Sequence, residues 1–300
     1  MSKARRLVPV LLACSITLYA RPPLQSNDRT IYVVALDASG KPVSDLTGKD
    51  LRVIEDENTR SLGEGDAKKA TEPLSVVLLL DTSQAIGASI TNLRDGLQQF
   101  AKRIYTEVPG SSFTVIHYAA QSMTIAQNKT APADIDKLVQ KTFPDSQGTT
   151  VGLEGLSDAA HDLMKAPTKR RAIVMVFLDG MAEASTLDPT DVYKSLAQAG
   201  TSLWAINYQN QKSANYANSN SNTGQARDSL LQMACPAMGG ELTTIRVPTA
   251  LPDALNHVAD MLVNQIAITY SRAGTATPKA LEVQALRPGI KVMFSQTPPK

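Results

Sequence analysis

The chain has 300 residues, of which 43% are hydrophobic, so it has enough apolar side chain to bury the core of a medium-sized domain and a smaller one. Its net charge is only +2, and the basic residues are spread along the chain without a basic block. This balance argues against nucleic-acid binding and against binding to anionic membranes, and it predicts a globular protein.

The amino terminus has the pattern of a secretory signal. A positively charged start is followed by roughly a dozen mostly apolar residues, fewer than a membrane span needs. Cleavage near Ala20 would make residues 1–20 a signal peptide. Alternatively, LLAC at residues 11–14 approximates a bacterial lipobox, so the signal would end at residue 13 and Cys14 would carry a lipid. An uncleaved anchor is the third reading. We therefore expect an exported protein that is secreted, periplasmic or lipid-anchored to the cell envelope.

Residues 28–60 are expected to form a small β module. Thr30–Leu36 and Leu51–Glu55 have the composition of β-strands, and a turn-rich stretch separates them. The following stretch, residues 61–73, is charged and contains two glycines. We expect it to link this module to the next domain.

From Leu74 onwards, predicted strands and helices alternate. The first strand is continuously apolar until it ends in Asp81, which is typical of a fully buried strand, and apolar residues spaced three and four apart then predict a helix. Such alternation predicts a mainly parallel α/β sheet with helices on both faces. Asp81, Thr82 and Ser83 place oxygen donors at a strand's carboxyl end, where open α/β sheets bind ligands.

The remaining elements of this domain follow the same pattern. Ser112–Tyr118 and residues 122–126 are too close together for a helical crossover, so they predict an antiparallel hairpin at the sheet edge. A second buried strand, Arg171–Leu178, also ends in an acid, Asp179. Predicted helices occupy residues 133–143, 150–163, 189–199, 226–234 and 251–263, and further strands occupy residues 202–207 and 241–247. Between them, residues 208–225 are rich in Asn, Ser and Gln and predict a long loop.

The sequence Asp81-Thr-Ser-Gln-Ala85 resembles the D-x-S-x-S metal loop of von Willebrand factor type A (VWA) domains. Asp81 and Ser83 match the first two ligand positions, whereas Ala85 stands where the family has its last serine. The resemblance covers residues 74–264. It implies a doubly wound, Rossmann-like, six-stranded and mainly parallel sheet.

The same resemblance implies a metal-ion-dependent adhesion site (MIDAS). Its ligands would be Asp81 and Ser83 from the first loop, Thr150 rather than Thr149 from the second loop, and Asp179 from the third. Carboxylate and hydroxyl oxygens with bound waters suit Mg²⁺, or Mn²⁺ or Ca²⁺. Because Ala85 lacks a hydroxyl, a water would have to take its place, and a metal-free fold is the alternative.

Residues 265–300 are expected to add three short strands, at residues 266–270, 281–285 and 290–294. This segment and the module at residues 28–60 resemble the β segments of a VWA-related family first described from acidobacteria. A few isolated strands are only marginally stable. We therefore expect the two terminal segments to pack together as one small β domain.

The family resemblance implies binding rather than catalysis. In VWA domains the ion leaves a coordination position for an acidic side chain of a protein partner, so we expect an extracytoplasmic interaction or adhesion module. A metal-free structural or scaffolding domain of the cell envelope is the runner-up, and a hydrolase is a third reading. The sequence lacks HExxH, GxSxG, Walker and GxGxxG motifs, and Cys235 has the apolar setting of a structural thiol.

Overall fold

The computed structural model describes residues 27–145, 149–178, 182–209, 222–272 and 278–296. The predicted signal, with Cys14, lies outside these ranges, as do Asp179 and most of the predicted long loop. Within the ranges, the helices are α1 (Ile90–Glu107), α2 (Pro132–Gln140), α3 (Gly152–Met164), α4 (Pro189–Ala199), α5 (Asn222–Ala237) and α6 (Leu251–Val263). The strands are β1 (Asp28–Leu36), β2 (Leu51–Glu55), β3 (Asn58–Arg60), β4 (Ala67–Lys69), β5 (Ser75–Asp81), β6 (Ser112–Tyr118), β7 (Ser122–Lys129), β8 (Thr149–Thr150), β9 (Arg171–Leu178), β10 (Ala182–Glu183), β11 (Ser202–Tyr208), β12 (Leu242–Ile245), β13 (Ile266–Ser271), β14 (Leu281–Ala285) and β15 (Lys291–Phe294).

The centre of the molecule is a six-stranded sheet in the order β12-β11-β9-β5-β6-β7. Its strands are parallel except for β7, which pairs with β6 as an antiparallel edge strand. The predicted VWA-type α/β fold, with its edge hairpin, is therefore confirmed. The carboxyl ends of β5 and β9 lie side by side because these two strands are direct neighbours.

Helices cover both faces of the sheet because β5 is apolar on both sides. Alternate residues Val76, Leu78 and Leu80 pack into one core cluster with α1 and α6. Val77 and Leu79 point the other way, into a second cluster with α3, α4 and α5. A buried Leu or Val contributes about 1.5–3 kcal/mol, so this strand has little freedom to shift in register.

Local signals in the sequence set the ends of several elements. The Asp188 carboxylate accepts a hydrogen bond from the Thr190 amide at 2.7 Å, and Pro189 occupies the first turn of α4. The helix ends at Gly200, whose φ of 57° lies in the left-handed region. These boundaries are as predicted.

Other boundaries differ from the predictions. The helix expected from Thr150 begins at Gly152 instead, because Thr150 pairs with Glu183 in the short parallel β8–β10 ladder. The strand expected at residues 241–247 is shortened to Leu242–Ile245. Residues 122–126 extend to Lys129 as an edge strand.

The terminal segments form two further sheets, which confirms the predicted extra β-structure. One has the order β15-β1-β13-β4 and the other has the order β14-β2-β3. β1 pairs with β13 from Asp28 opposite Ser271 to Val33 opposite Ile266. β4 lies within residues 61–73, predicted as a linker, and is hydrogen-bonded to β13 instead of forming a free connection.

Glu55 ties the two terminal sheets together. Its side chain is fully buried at the end of β2, 2.9 Å from Arg60, 3.5 Å from Arg272 and 3.7 Å from Arg29. The hydroxyl of Tyr270 lies 3.3 Å from the same carboxylate. Because Arg29 and Tyr270 belong to β1 and β13, this carboxylate joins the smaller sheet to the larger one.

Arg170 joins the larger terminal sheet to the amino end of the central sheet. The residue is 1% exposed and donates hydrogen bonds to the side chain of Gln265 and to the backbone carbonyls of Ala70, Glu72 and Leu262. Burial lowers the pKa of its guanidinium to about 10. The terminal sheet therefore lies at the end of the central sheet opposite to Asp81.

Candidate metal centre at the carboxyl edge of the sheet

Asp81 is a fully buried acid at this edge, and its residue is 0% exposed. Its Oδ1 accepts a hydrogen bond from the Ser83 amide at 2.8 Å, which closes an Asx-turn. Its Oδ2 accepts from the Leu178 amide at 3.1 Å. The carboxylate thus connects the first predicted metal loop to the end of β9, one residue before Asp179.

Burial raises the pKa of the Asp81 carboxyl above its ordinary value. The Ser83 hydroxyl and amide, the Leu178 amide and the positive charge of Arg227 oppose this change without cancelling it. A carboxylate with few water contacts is stabilised by any nearby cation. The site therefore favours a positively charged group beside Asp81.

Ser83 provides an unusual oxygen next to this carboxylate. It is 0% exposed, and its Oγ, although close to Asp81, is not aligned for a hydrogen bond with any group in the described part of the chain. A buried hydroxyl without a partner is costly. Ala85, two residues further on, packs partly buried against the core and supplies no oxygen.

Thr150 is also fully buried, but its hydroxyl is engaged. Oγ1 donates to Oε2 of Glu183 at 3.2 Å, and the Thr150 carbonyl accepts from the Ala184 amide at 2.7 Å. The second loop is therefore fastened to the segment that follows the third loop. Sequence reasoning placed Thr150 in the site but missed Glu183.

Glu183 belongs to a buried ion pair. Nη1 of Arg227, on α5, donates to Glu183 Oε2 at 3.0 Å, and the two side chains are 3% and 0% exposed respectively. The sequence carried one signal of this pair, because Arg227 shares a helix face with the buried Leu230, Leu231 and Ala234. A charged residue on an apolar helix face usually needs a buried partner.

Tyr118, at the end of β6, is buried close enough to Asp81, Arg227 and Glu183 for their charges to act on its phenol. Its backbone carbonyl accepts from the Thr82 amide at 2.9 Å, which fixes the first loop to β6. Burial raises the pKa of its phenol well above the ordinary value, and the negative charge of Asp81 adds to that effect. The phenol is therefore neutral, and its oxygen lies 3.5 Å from the Val176 carbonyl oxygen on β9.

The structure thus brings three of the four predicted ligands to one edge. Asp81 and Ser83 are in direct contact, and Thr150 reaches the same region through Glu183 and Arg227, whose charge acts on Asp81. The fourth residue, Asp179, lies outside the described residues. Asp81, Ser83 and Thr150 offer only carboxylate and hydroxyl oxygens, a donor set that fits a hard divalent cation.

The histidines and the buried cysteine lie away from this edge or have structural partners. His117 Nε2 is 3.2 Å from the Thr142 hydroxyl, His161 bonds a carbonyl of its own helix, and His257 lies 3.6 Å from Glu241. Burial raises the pKa of the Cys235 thiol. In the described ranges, no group of three or more His, Cys, Asp or Glu side chains is placed to hold a metal ion.

None of the described helices is both long enough and apolar enough to cross a membrane.

A doubly wound α/β sheet with a carboxylate and hydroxyls at its carboxyl edge defines the class of fold to which VWA domains belong. The family model for the von Willebrand factor type A domain matches residues 75–233. The chain therefore belongs to the VWA domain family. No curated protein matches the chain.

Solved structures with the same fold include proximal thread matrix protein 1 from the mussel byssus. It is 18% identical to this chain, with a TM-score of 0.52, covering 65% of this chain and 49% of its own. A form of that protein with a zinc-occupied MIDAS motif gives 16% identity and a TM-score of 0.51, covering 69% and 50%. This chain thus spans about half the length of the mussel protein.

A von Willebrand factor type A structure from Catenulispora acidiphila is 10% identical, with a TM-score of 0.48, and covers 91% of this chain and 74% of its own.

Proposed function

We propose that this chain is a protein-interaction module that binds its partner through a divalent cation held by Asp81, Ser83, Thr150 and Asp179. The observation that carries the proposal is the Ser83 hydroxyl, which is fully buried beside the Asp81 carboxylate and has no aligned hydrogen-bond partner among the described groups. A cation at this position would use the oxygen that the fold otherwise leaves unsatisfied.

The cation is Mg²⁺, with Mn²⁺ and Ca²⁺ as substitutes, because all the proposed donors are oxygens. When bound, the ion supplies a positive charge that can accept an acidic side chain from a partner. Asp81 contributes the counter-charge, and Ser83 and Thr150 contribute neutral oxygens. Ala85 lowers the number of protein ligands by one relative to the family pattern.

The partner is a protein that presents an acidic side chain, and the activity is binding rather than turnover. Membership of the VWA family supports this role, because VWA domains are typically interaction modules. The small net charge of +2 gives no support to nucleic-acid binding. Contact with a membrane would occur only through a lipid at Cys14.

The protein acts outside the cytoplasm, in the periplasm, on the envelope or as a secreted protein. The support is the signal-like pattern of residues 1–20 in the sequence. A Cys14→Ser variant distinguishes the two routes of export: a shift from the membrane fraction to the soluble fraction indicates lipidation, and unchanged soluble behaviour outside the cytoplasm indicates cleavage.

A metal-free scaffolding domain is the second candidate, and one observation favours it. Both Asp81 oxygens accept backbone amides, and the Thr150 hydroxyl is satisfied by Glu183. These contacts hold the first two loops and the end of β9 through protein groups alone.

Thermal melts with Mg²⁺ or Mn²⁺ and with chelator decide between the two candidates. At about 100 times the dissociation constant, a bound ion adds about 2.7 kcal/mol of stability, which raises the melting temperature by several degrees. Asp81→Ala should abolish this shift. Ser83→Ala should abolish it too, yet change the melt in chelator little, because the Ser83 hydroxyl has no aligned hydrogen-bond partner among the described residues.

Ser89→Ala is the matched control, since Ser89 is also fully buried, ends the short helix that follows Ser83, and has an Oγ without a hydrogen-bond partner in the described ranges. This variant should keep the ion-dependent shift. An absence of any ion-dependent shift in the parent would instead support the scaffolding candidate.

A further inference from the structure

The Thr150 hydroxyl donates its hydrogen to Glu183, and no donor to its lone pairs is found among the described residues. Oγ1 donates to Glu183 Oε2 at 3.2 Å, and a hydroxyl has one hydrogen but two acceptor lone pairs. A neutral hydroxyl ligand binds a cation through a lone pair. Directing its hydrogen to a carboxylate therefore directs its lone pairs elsewhere and makes the oxygen more basic.

Glu183 is itself held rigidly. Its Oε1 accepts from the Gly152 amide at 2.7 Å and from the Ser185 hydroxyl, and its Oε2 accepts from Arg227 Nη1 at 3.0 Å. A β-carbon built on Gly152 would lie 3.2 Å from Glu183 Oε2 and 3.1 Å from Arg227 Cδ. The Glu183 carboxylate is thus held by a backbone amide, a hydroxyl and a guanidinium. The start of α3 also packs closely against it.

Arg227 extends this arrangement to the third loop. Its guanidinium lies 4.8 Å from the ring centroid of Phe177 and donates to Asp228. Phe177 precedes Leu178, whose amide donates to Asp81. One buried arginine therefore contacts both the strand that carries the third loop and the acid that holds Thr150.

From this geometry we infer that Glu183 and Arg227 form a positioning pair that orients the Thr150 hydroxyl for the cation. The inference rests on the proposed metal site, and it adds two residues to that site that the family motif does not contain. We assign Glu183 to positioning rather than to ligation, because both of its carboxylate oxygens already accept hydrogen bonds from neighbouring protein groups. Because Ala85 supplies no hydroxyl ligand, the affinity of this site for a cation depends more strongly on how the remaining two hydroxyls are oriented.

The competing explanation is that the pair only stabilises the fold. Glu183 accepts a hydrogen bond from the first turn of α3, where a negative charge is favourable regardless of any metal. The two explanations differ in how Glu183 and Thr150 couple. A positioning role requires that the effect of Glu183 on the cation pass through Thr150, whereas a capping role does not.

The test is a double-mutant cycle on Mn²⁺ affinity, measured by electron paramagnetic resonance on the full chain. Glu183→Gln should weaken Mn²⁺ binding by roughly 10- to 100-fold, the range seen for groups that orient metal ligands. Thr150→Val, which removes the hydroxyl but keeps the shape, should weaken it as well. In the Thr150→Val background, adding Glu183→Gln should cause no further loss. Additive losses would overturn the inference.

Glu154→Gln is the matched control, because Glu154 also lies in the first turn of α3 and binds the Thr186 amide and hydroxyl rather than Thr150. It should leave Mn²⁺ affinity unchanged. If Glu183→Gln does not fold, Arg227→Lys takes its place. Lysine keeps the positive charge but cannot make the planar, two-pronged contact of a guanidinium, so the Mn²⁺ affinity should fall. In the Thr150→Val background, Arg227→Lys should cause no further loss.

Failure of the inference differs from failure of the proposed function. A parent that binds Mn²⁺ with the same affinity as Glu183→Gln overturns the positioning role and leaves the metal site intact. A parent that does not bind Mn²⁺ overturns both.

Discussion

Arg170 donates a hydrogen bond from Nε to Oε1 of Gln265 at 2.9 Å, linking the start of β9 to the residue that precedes β13. The same guanidinium also bonds the Ala70, Glu72 and Leu262 carbonyls. Because these groups come from the β4–β5 connection, from the end of α6 and from the residue before β13, Arg170 fixes the terminal sheet against the central sheet.

We expect Arg170→Met to lower the free energy of unfolding by at least about 2 kcal/mol, because it leaves several buried acceptors without a donor. Chemical denaturation of the parent and the variant measures this. Arg246→Met, at an exposed arginine, is the control and should lie within about 0.5 kcal/mol of the parent. Equal losses for the two variants would contradict the role given to Arg170.

Gly240 occupies a position where the backbone leaves no room for a side chain. A β-carbon built there would lie 1.9 Å from the carbonyl oxygen of Leu203, on β11. Gly240→Ala should therefore displace the start of β12 and destabilise the protein by about 2 kcal/mol or more. Gly65→Ala, at a glycine with no atom within 4 Å of a built β-carbon, should have little effect in the same thermal melts.

His117 should make the protein less stable in mild acid. Burial lowers the pKa of its imidazole from 6.5 to about 4, so the unfolded chain binds a proton in that interval before the folded chain does. Stability is therefore lost as the pH falls from about 6.5 to about 4, by up to about 3 kcal/mol. Above pH 7 the residue contributes no pH dependence.

His117→Gln should remove this loss of stability between pH 6.5 and 4, and its stability near pH 8 should be closer to that of the parent. Urea denaturation of both proteins across the pH range measures the difference. His161→Gln is the control, because the His161 ring lies on an exposed helix surface. If the stability of both variants falls between pH 6.5 and 4 as steeply as that of the parent, burial of neutral His117 is not the cause of this pH dependence.

Ala85→Ser should tighten Mg²⁺ binding, because it restores a hydroxyl where the site must otherwise recruit a water. The expected gain is on the order of tenfold in affinity, about 1.4 kcal/mol. Calorimetric titration of the parent and the variant measures it. Ala88→Ser, at an exposed position of the same turn, should bind like the parent. An ion-dependent shift found only in Ala85→Ser would mean that the natural site has lost its metal.

Much of the fold follows from the sequence because its signals are local. The continuous apolar run of β5 and the Asp188-Pro189 start and Gly200 end of α4 each depend on neighbouring residues alone. The hairpin of β6 and β7 follows from the short distance between two strands along the chain. Such features can be predicted without knowing what packs against them.

The less predictable parts depend on contacts between distant segments. Thr150 does not begin a helix because it pairs with Glu183, which lies 33 residues further along the chain. Glu183 in turn has a buried charged partner in Arg227, on α5. Residues 67–69 look like a charged linker, yet they pair with β13, which is nearly 200 residues further along the chain. The residue pattern within one segment cannot predict such distant partners.

The pairing of β1 with β13 determines how the protein would respond to tension. Asp28 lies opposite Ser271 and Val33 opposite Ile266, so the strand ends that lead to residue 27 and to α6 are at opposite ends of the ladder. A pull between residue 27 and the carboxyl edge of the central sheet would draw the two strands past each other along their length, so that all their hydrogen bonds would bear the load together. A ladder loaded in shear resists more force than one opened pair by pair, so the whole β1–β13 ladder would resist tension applied at residue 27.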